Sequence, residues 1–133
     1  IQKKISLDVY NLENYVYIDE KWITFIICQV LQNSIKYLNK PEKVIKIHSE
    51  NNKNNVVLVI EDNGEGILDH DLPRVFEYGF TGTDRQKQYS TGIGLYLCKK
   101  LCNKMNLDIK IESQYKKFTK VKIIFPKTSL YKQ

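Results

Sequence analysis

A chain of 133 residues with 42% hydrophobic content is sized for a single domain, residues 1–133, with a core of its own. No apolar run approaches the roughly 20 residues that a bilayer-spanning helix needs, and the opening Ile1-Gln2-Lys3-Lys4 has no signal-sequence character, so no membrane insertion is expected of this stretch. The net charge of +6 points toward polyanions, but Lys46, Lys110, Lys120 and Lys122 are dispersed as the polar half of alternating strands, so no nucleic-acid partner is expected.

Residues 5–9 alternate Ile5, Leu7 and Val9 as a first strand, and residues 15–18 read as a short second one, both at a sheet edge. Asp19 is a predicted N-cap with Glu20 in the first turn, opening a helix to about Leu38 before Pro41 forbids continuation. Trp22, Ile23, Phe25, Ile26, Ile27, Val30, Leu31 and Ile35 surround its axis, which predicts burial on all sides. Gln29, Asn33 and Lys36 fall on one face, a polar stripe that either meets water or walls a site.

Residues 43–49 and 56–60 predict an antiparallel pair joined by an Asn-rich turn. The second strand, mostly β-branched and apolar on both faces, runs into Glu61-Asp62-Asn63-Gly64-Glu65-Gly66-Ile67. A carboxylate leaving a buried strand is costly unless it accepts strong hydrogen bonds, and an exocyclic amine such as that of adenine is a fitting donor for Asp62. Gly64 and Gly66 carry no Cβ, which lets the backbone approach a flat ring. By itself the stretch is equally an ordinary Asp-Asn-Gly turn.

Asp71 and Pro73 start a short helical turn leading to Phe76, whose ring is expected as a buried anchor. Residues 78–91 have no periodicity and exceed the usual connection length, which predicts a lid that orders on nucleotide. Gly92 and Gly94 open a helix with Leu97, Leu101 and Met105 recurring on one face, and a glycine-rich turn into a helix N-terminus suits phosphate. Residues 108–113 and 118–125 predict an antiparallel hairpin, with a frayed tail after Pro126. Cys28, Cys98 and Cys102, without paired motifs or nearby histidines, read as buried free thiols rather than a metal site. His48 fits its strand as an exposed polar residue, and His70 lies on the surface.

Taken together, Gln29 to Tyr37, Asp62 to Ile67, Val75 to Gly82 and Ser90 to Leu95 resemble the N box, first glycine box, F box and second glycine box of the catalytic ATP-binding domain of sensor histidine kinases, within the superfamily of gyrase B, Hsp90 and MutL. The stretches Gly79-Phe80-Thr81-Gly82 and Ser90-Thr91-Gly92-Ile93-Gly94-Leu95-Tyr96-Leu97-Cys98-Lys99-Lys100-Leu101 look most like the small intramembrane-sensing kinases of Gram-positive bacteria that respond to antimicrobial peptides. The resemblance implies a Bergerat-type two-layer α/β sandwich, its mixed, mostly antiparallel sheet carrying both helices on one face. It implies that Asp62, Gly64, Gly66 and Ile67 shape the adenine pocket with Phe76 as anchor, and that Asn33 holds Mg²⁺ while Lys36 and Tyr37 contact the nucleotide. Gly92, Ile93, Gly94 and Leu95 would hold phosphates, with Thr81, Arg85, Lys87 and Thr91 as lid residues.

The implied activity is transfer of the ATP γ-phosphoryl group to a histidine. Neither His48 nor His70 has the acceptor's helical context, so the acceptor is expected on a dimerisation helix pair preceding Ile1 in a longer, membrane-bound kinase. That kinase would be a homodimer with a cytoplasmic catalytic domain and a response regulator as its further partner. Two alternatives stay open: a hydrolase of the gyrase or Hsp90 type, and a nucleotide-binding module without transfer activity. The hydrolase needs a Glu four residues before the magnesium-binding Asn, where this chain has Gln29, which cannot take a proton.

Overall fold

The computed structural model describes residues 4–82 and 92–127. Five strands, β1 (Ile5–Tyr10), β2 (Lys43–Asn51), β3 (Asn55–Asp62), β4 (Asp108–Gln114) and β5 (Phe118–Pro126), form one sheet in the order β1-β2-β3-β5-β4. The β1–β2 pair is parallel and every other pair antiparallel, a mixed and mostly antiparallel sheet. Two helices, α1 (Glu20–Lys36) and α2 (Gly94–Lys104), cover one face. Among the described residues no helix is long and apolar enough to cross a membrane.

Local chemistry sets the element ends. The Asp19 carboxylate accepts from the N–H groups of Lys21 (2.9 Å) and Trp22 (3.3 Å), satisfying two orphan donors of α1. Asn52 Oδ1 accepts from Asn54 N and Asn55 N (3.1 and 2.8 Å), which closes the β2–β3 hairpin. Pro73 sits in the first turn of a 3₁₀ helix at Leu72–Arg74, where its missing N–H costs nothing.

Strand register decides what faces the helices. Ile47, Ile60, Val121 and Ile111 form one cross-strand row; the next row starts at Ile45 and turns polar at Asp62, Thr119 and Ser113. The apolar rows pack under Ile26 and Val30 of α1 and Cys98 and Cys102 of α2 in one core. Fully burying an isoleucine such as Ile26, Ile60, Ile109 or Ile123 stabilises by about 1.5–3 kcal/mol. This core holds the polar end of the second row at the rim of the sheet.

Several expectations are overturned. Residues 15–18 form no strand: Val16 and Ile18 turn inward against the core while Tyr15 and Tyr17 face solvent, so the alternation reflects one-sided packing without sheet pairing. Helix α1 is not buried all round: among the described residues no layer lies above it, and Trp22, Cys28 and Ile35 are exposed. On α2 the fully buried stripe is Cys98 and Cys102, with Leu101 and Met105 flanking it. Strand β3 is indeed buried on both faces, yet helices cover only one. His48 is half-buried, stacked on Tyr10 at 4.8 Å, with Nε2 3.2 Å from Glu50 Oε1. Leu7 and Val9 share rows with Ile45 and Ile47 but remain exposed on the edge strand.

Burial pushes the Cys98 thiol up to about 12 and the Cys102 thiol up to about 11, so both stay protonated near neutrality. Cys28 alone is accessible. Iodoacetamide at neutral pH should therefore label the folded domain at Cys28 and reach the other two only after denaturation. Mass spectrometry showing Cys98 or Cys102 alkylated as fast as Cys28 would contradict this packing.

Candidate functional site

A cavity of about 400 Å³ opens where the second sheet row turns polar, walled by α1, the start of α2 and the loop after β3. Its floor is Asp62, the last residue of β3, only 4% exposed. Burial raises its carboxyl above the ordinary value of 3.8; the Gly64 N–H and the Ser34 side chain pull it back, Glu61 pushes it further up, and Lys40 lowers it. Gly64 N donates to Asp62 Oδ1 at 2.9 Å. A buried carboxylate with these donors still has acceptor capacity, and it lines the cavity.

The loop carrying Asp62 is held from three sides. The Asn63 side chain accepts from Val44 N (2.9 Å) and donates to Glu42 O (2.7 Å), while Lys40 Nζ donates to Asn63 O (3.1 Å). Glu65 N donates to the Tyr37 carbonyl (3.0 Å) at the C-cap of α1. On the hairpin side Lys116 N donates to Glu65 O, and Ile67 N to Ser113 Oγ (2.8 Å). Gly66 has φ +74, and a Cβ there would collide with the Gln114 carbonyl. Glycine is required at 66 by contact with the β4–β5 hairpin, a different cause from the close ring approach inferred from sequence.

Helix α1 presents Gln29, Asn33 and Lys36 on the cavity side, with Tyr37 at its end. The polar stripe thus walls the cavity. Opposite, Gly92, Gly94 and Leu95 bring in the N-terminus of α2; a Cβ at Gly94 would collide with Gln29 Oε1, so the two helices meet closely there. Gly92, at φ +69, lies directly on the backbone of Gly79 and Phe80, and Gly79 N donates to Gly92 O at 3.1 Å. The two ends of the intervening segment therefore lie side by side. Phe80, Thr81 and Gly82 line the cavity from this neck, with the Arg74 guanidinium 4.4 Å from the Phe80 ring.

Of the residues singled out by sequence, Gln29, Asn33, Lys36, Tyr37, Asp62, Gly66, Ile67, Thr81, Gly92, Gly94 and Leu95 surround one cavity. Gly64 supports Asp62 without lining it, Ile93 is the N-cap position of α2, and Phe76 packs against the core with Lys99 Nζ 5.5 Å from its ring centroid. Arg85, Lys87 and Thr91, the lid candidates, lie outside the described residues. Sequence reasoning missed Ser34, Asp71, Tyr115 and Thr119. Ser34 carried a signal: it sits in the Ile26–Val30 stripe, where a buried hydroxyl needs a partner. Thr119 carried none, since only the β3–β5 register sets it beside Asp62.

Residues 18–129 match the family described as histidine kinase-, DNA gyrase B-, and HSP90-like ATPase, and the chain belongs to that family. It is 40% identical over 126 residues to the sensor protein kinase GraS of Staphylococcus aureus strain JH1, covering 93% of this chain and 36% of that protein. The GraS of strain MRSA252 is 39% identical over the same length. The chain thus spans about a third of the length of these relatives. Among solved structures, the mycobacterial sensor histidine kinase MprB matches with a TM-score of 0.81 at 22% identity, covering 92% of this chain and 83% of that one. The catalytic domain of histidine kinase ThkA matches with a TM-score of 0.75 at 23% identity, covering 92% and 80%. Both share this α/β sandwich.

The raised Asp62 carboxyl has a consequence for stability. A buried acid whose folded value is raised contributes most below its ordinary range, and that contribution is lost as pH rises through the raised value. Above that raised value the ligand-free domain carries a buried charge, and there Asp62→Asn should melt at a higher temperature than wild type. The gap should close as pH falls toward the ordinary carboxylate value of 3.8. A wild type that melts higher than the variant at neutral pH would mean that its hydrogen bonds outweigh desolvation.

Proposed function

We propose that this chain is the catalytic ATP-binding domain of a sensor histidine kinase, binding Mg-ATP in the cavity and presenting the γ-phosphoryl group to a histidine on the dimerisation helices of the same, longer protein. The observation that carries the reading is the buried Asp62 carboxylate on the cavity floor, facing a wall formed by Asn33 and the N-terminus of α2. An amine donor from adenine completes the hydrogen bonding of Asp62, and Gly66 and Ile67 close the pocket around the base. The helix dipole and first-turn N–H groups at the N-terminus of α2, reached through Gly92, Gly94 and Leu95, favour the phosphates, with Lys36 and Tyr37 flanking them.

The donor set fits Mg²⁺: Asn33 offers a hard amide oxygen on the cavity wall, and Mg²⁺ takes few protein ligands alongside phosphate. Bound there, the ion would neutralise charge on the phosphate oxygens. The chain itself contributes positioning and charge stabilisation. Gln29 is an amide packed against Gly94 and cannot take a proton from water, which weighs against the hydrolase alternative. The same reading assigns a response regulator as downstream partner, dimerisation to the helix pair, and a place on the cytoplasmic side of a membrane-bound kinase.

Asp62→Ala should weaken ADP and ATP binding together by about 1.5–3 kcal/mol. Wild-type affinity should fall as pH drops through the raised Asp62 value, with the variant flat over that window. Calorimetric titration showing equal ADP affinity in both proteins would remove Asp62 from the base site. For the transfer step, the chain mixed with labelled Mg-ATP should neither label itself nor release phosphate appreciably. Supplied with the helix pair of its own full-length protein, it should yield an acid-labile, base-stable phosphohistidine, slowly because the tether is absent. Asn33→Ala should abolish that product. Robust phosphate release by wild type alone would favour the ATPase, and no transfer within the full-length protein would favour the inert module.

A further inference from the structure

We propose that Ser113, behind the cavity wall, sets the hydrogen-bond polarity of the Thr119 hydroxyl inside it, so that the base pocket selects a 6-amino purine over a 6-oxo purine. The inference rests on the nucleotide reading above and assigns Ser113 as a positioning residue acting through Thr119.

A serine hydroxyl has one proton and two lone pairs. Ser113 Oγ lies 2.7 Å from the Phe118 carbonyl oxygen, which can only accept, so the serine proton goes there. Ile67 N–H donates into one Ser113 lone pair at 2.8 Å. The third neighbour is Thr119 Oγ1 at 3.2 Å. With the Ser113 proton committed, Thr119 must be the donor in that contact, which uses its only proton. Thr119 lines the cavity, and what it offers there is lone pairs.

Strand register makes the consequence sharper. Asp62 pairs with Thr119 across β3 and β5, and Thr119 with Ser113 across β5 and β4, all three in one row on the helix-covered face. As a carboxylate, Asp62 accepts and does not donate, so two neighbouring wall positions present acceptors. A 6-amino group brings two N–H donors to this pair. A 6-oxo group brings a further acceptor, leaving buried lone pairs facing each other, and a site built for a donor rejects such a ligand by the cost of its own unpaired groups. Ser113 also holds the Ile67 amide, so the hydroxyl that fixes the threonine fixes the loop beneath the base.

The test compares ADP with inosine diphosphate, which differ at this position in carrying an amine or a carbonyl. Dissociation constants are measured by calorimetry at equal Mg²⁺ for wild type, Ser113→Ala and Ser113→Thr. Wild type should prefer ADP by about tenfold or more, a difference of about 1.4 kcal/mol. Ser113→Ala frees the Thr119 proton to turn into the cavity and should shrink the preference by about fivefold or more. Ser113→Thr keeps the hydroxyl and should keep the wild-type ratio. Equal weakening of both nucleotides in Ser113→Ala, with the ratio unchanged, overturns the proposal and leaves a purely structural serine. If Ser113→Ala does not fold, Thr119→Val decides instead: it removes the acceptor and must lower the ratio, and an unchanged ratio overturns the proposal. Wild type binding neither nucleotide would overturn the nucleotide reading itself.

Discussion

The arrangement depends on keeping a carboxylate at the buried end of the central strand. Taking Asp62 out of water is unfavourable by several kcal/mol if it stands alone, and the chain answers with a donor two residues on, at Gly64, and another from α1, at Ser34. These do not fully offset the burial, since the carboxyl remains raised. On the proposed reading, an amine donor entering the cavity would supply the hydrogen bond that the protein withholds. Stability of the empty domain and affinity for the ligand pull against each other at this one residue.

Holding the carboxylate in place constrains the backbone on three sides. Loop residues 62–67 take main-chain bonds from the end of α1, the start of β2 and the β4–β5 turn, elements far apart in sequence. The Asn63, Glu65 and Ile67 backbone groups are thereby satisfied by protein while the cavity stays open. Gly66 and Gly92 do comparable jobs on opposite walls, each lying where a Cβ would strike another backbone. At the second of these, the Gly79 N–H to Gly92 O bond ties the backbone beside Phe80 directly to the N-terminus of α2.

What the sequence made legible follows from the range of the interactions. The Asp19 cap, the Asn52 turn, Pro73 and the placement of Asp62 at a strand end are local, and the residue types alone specify them. Thr119 and Ser113 were illegible as site residues because strand register, a long-range property, brings them to Asp62 and the cavity. Alternation misled at Val16 and Ile18, which bury one side of an unpaired segment. Hydrophobicity misled on α1: the residues above its axis are apolar, but among the described residues no layer covers Trp22, Cys28 and Ile35.

The far face of the sheet settles how β3 can be apolar on both sides under a single helical layer. Val59 points away from the helices and is only 1% exposed, lying in register between His48 and Lys122. Long side chains at such flanking positions, Lys122 among them, can cover an apolar neighbour with their stems while keeping charged ends in water. Lys122 Nζ meets Glu112 Oε2 at 2.6 Å, which holds the glutamate below and the lysine above their ordinary values. Pairs this exposed contribute under about 1 kcal/mol each, so their value lies in covering the sheet. His48 belongs to this layer, its ring flat against Tyr10 on the face opposite to Asp62 and the cavity. Under the proposed kinase reading, a γ-phosphate bound beside Asn33 would have the whole sheet between itself and that imidazole, which argues against His48 as its acceptor.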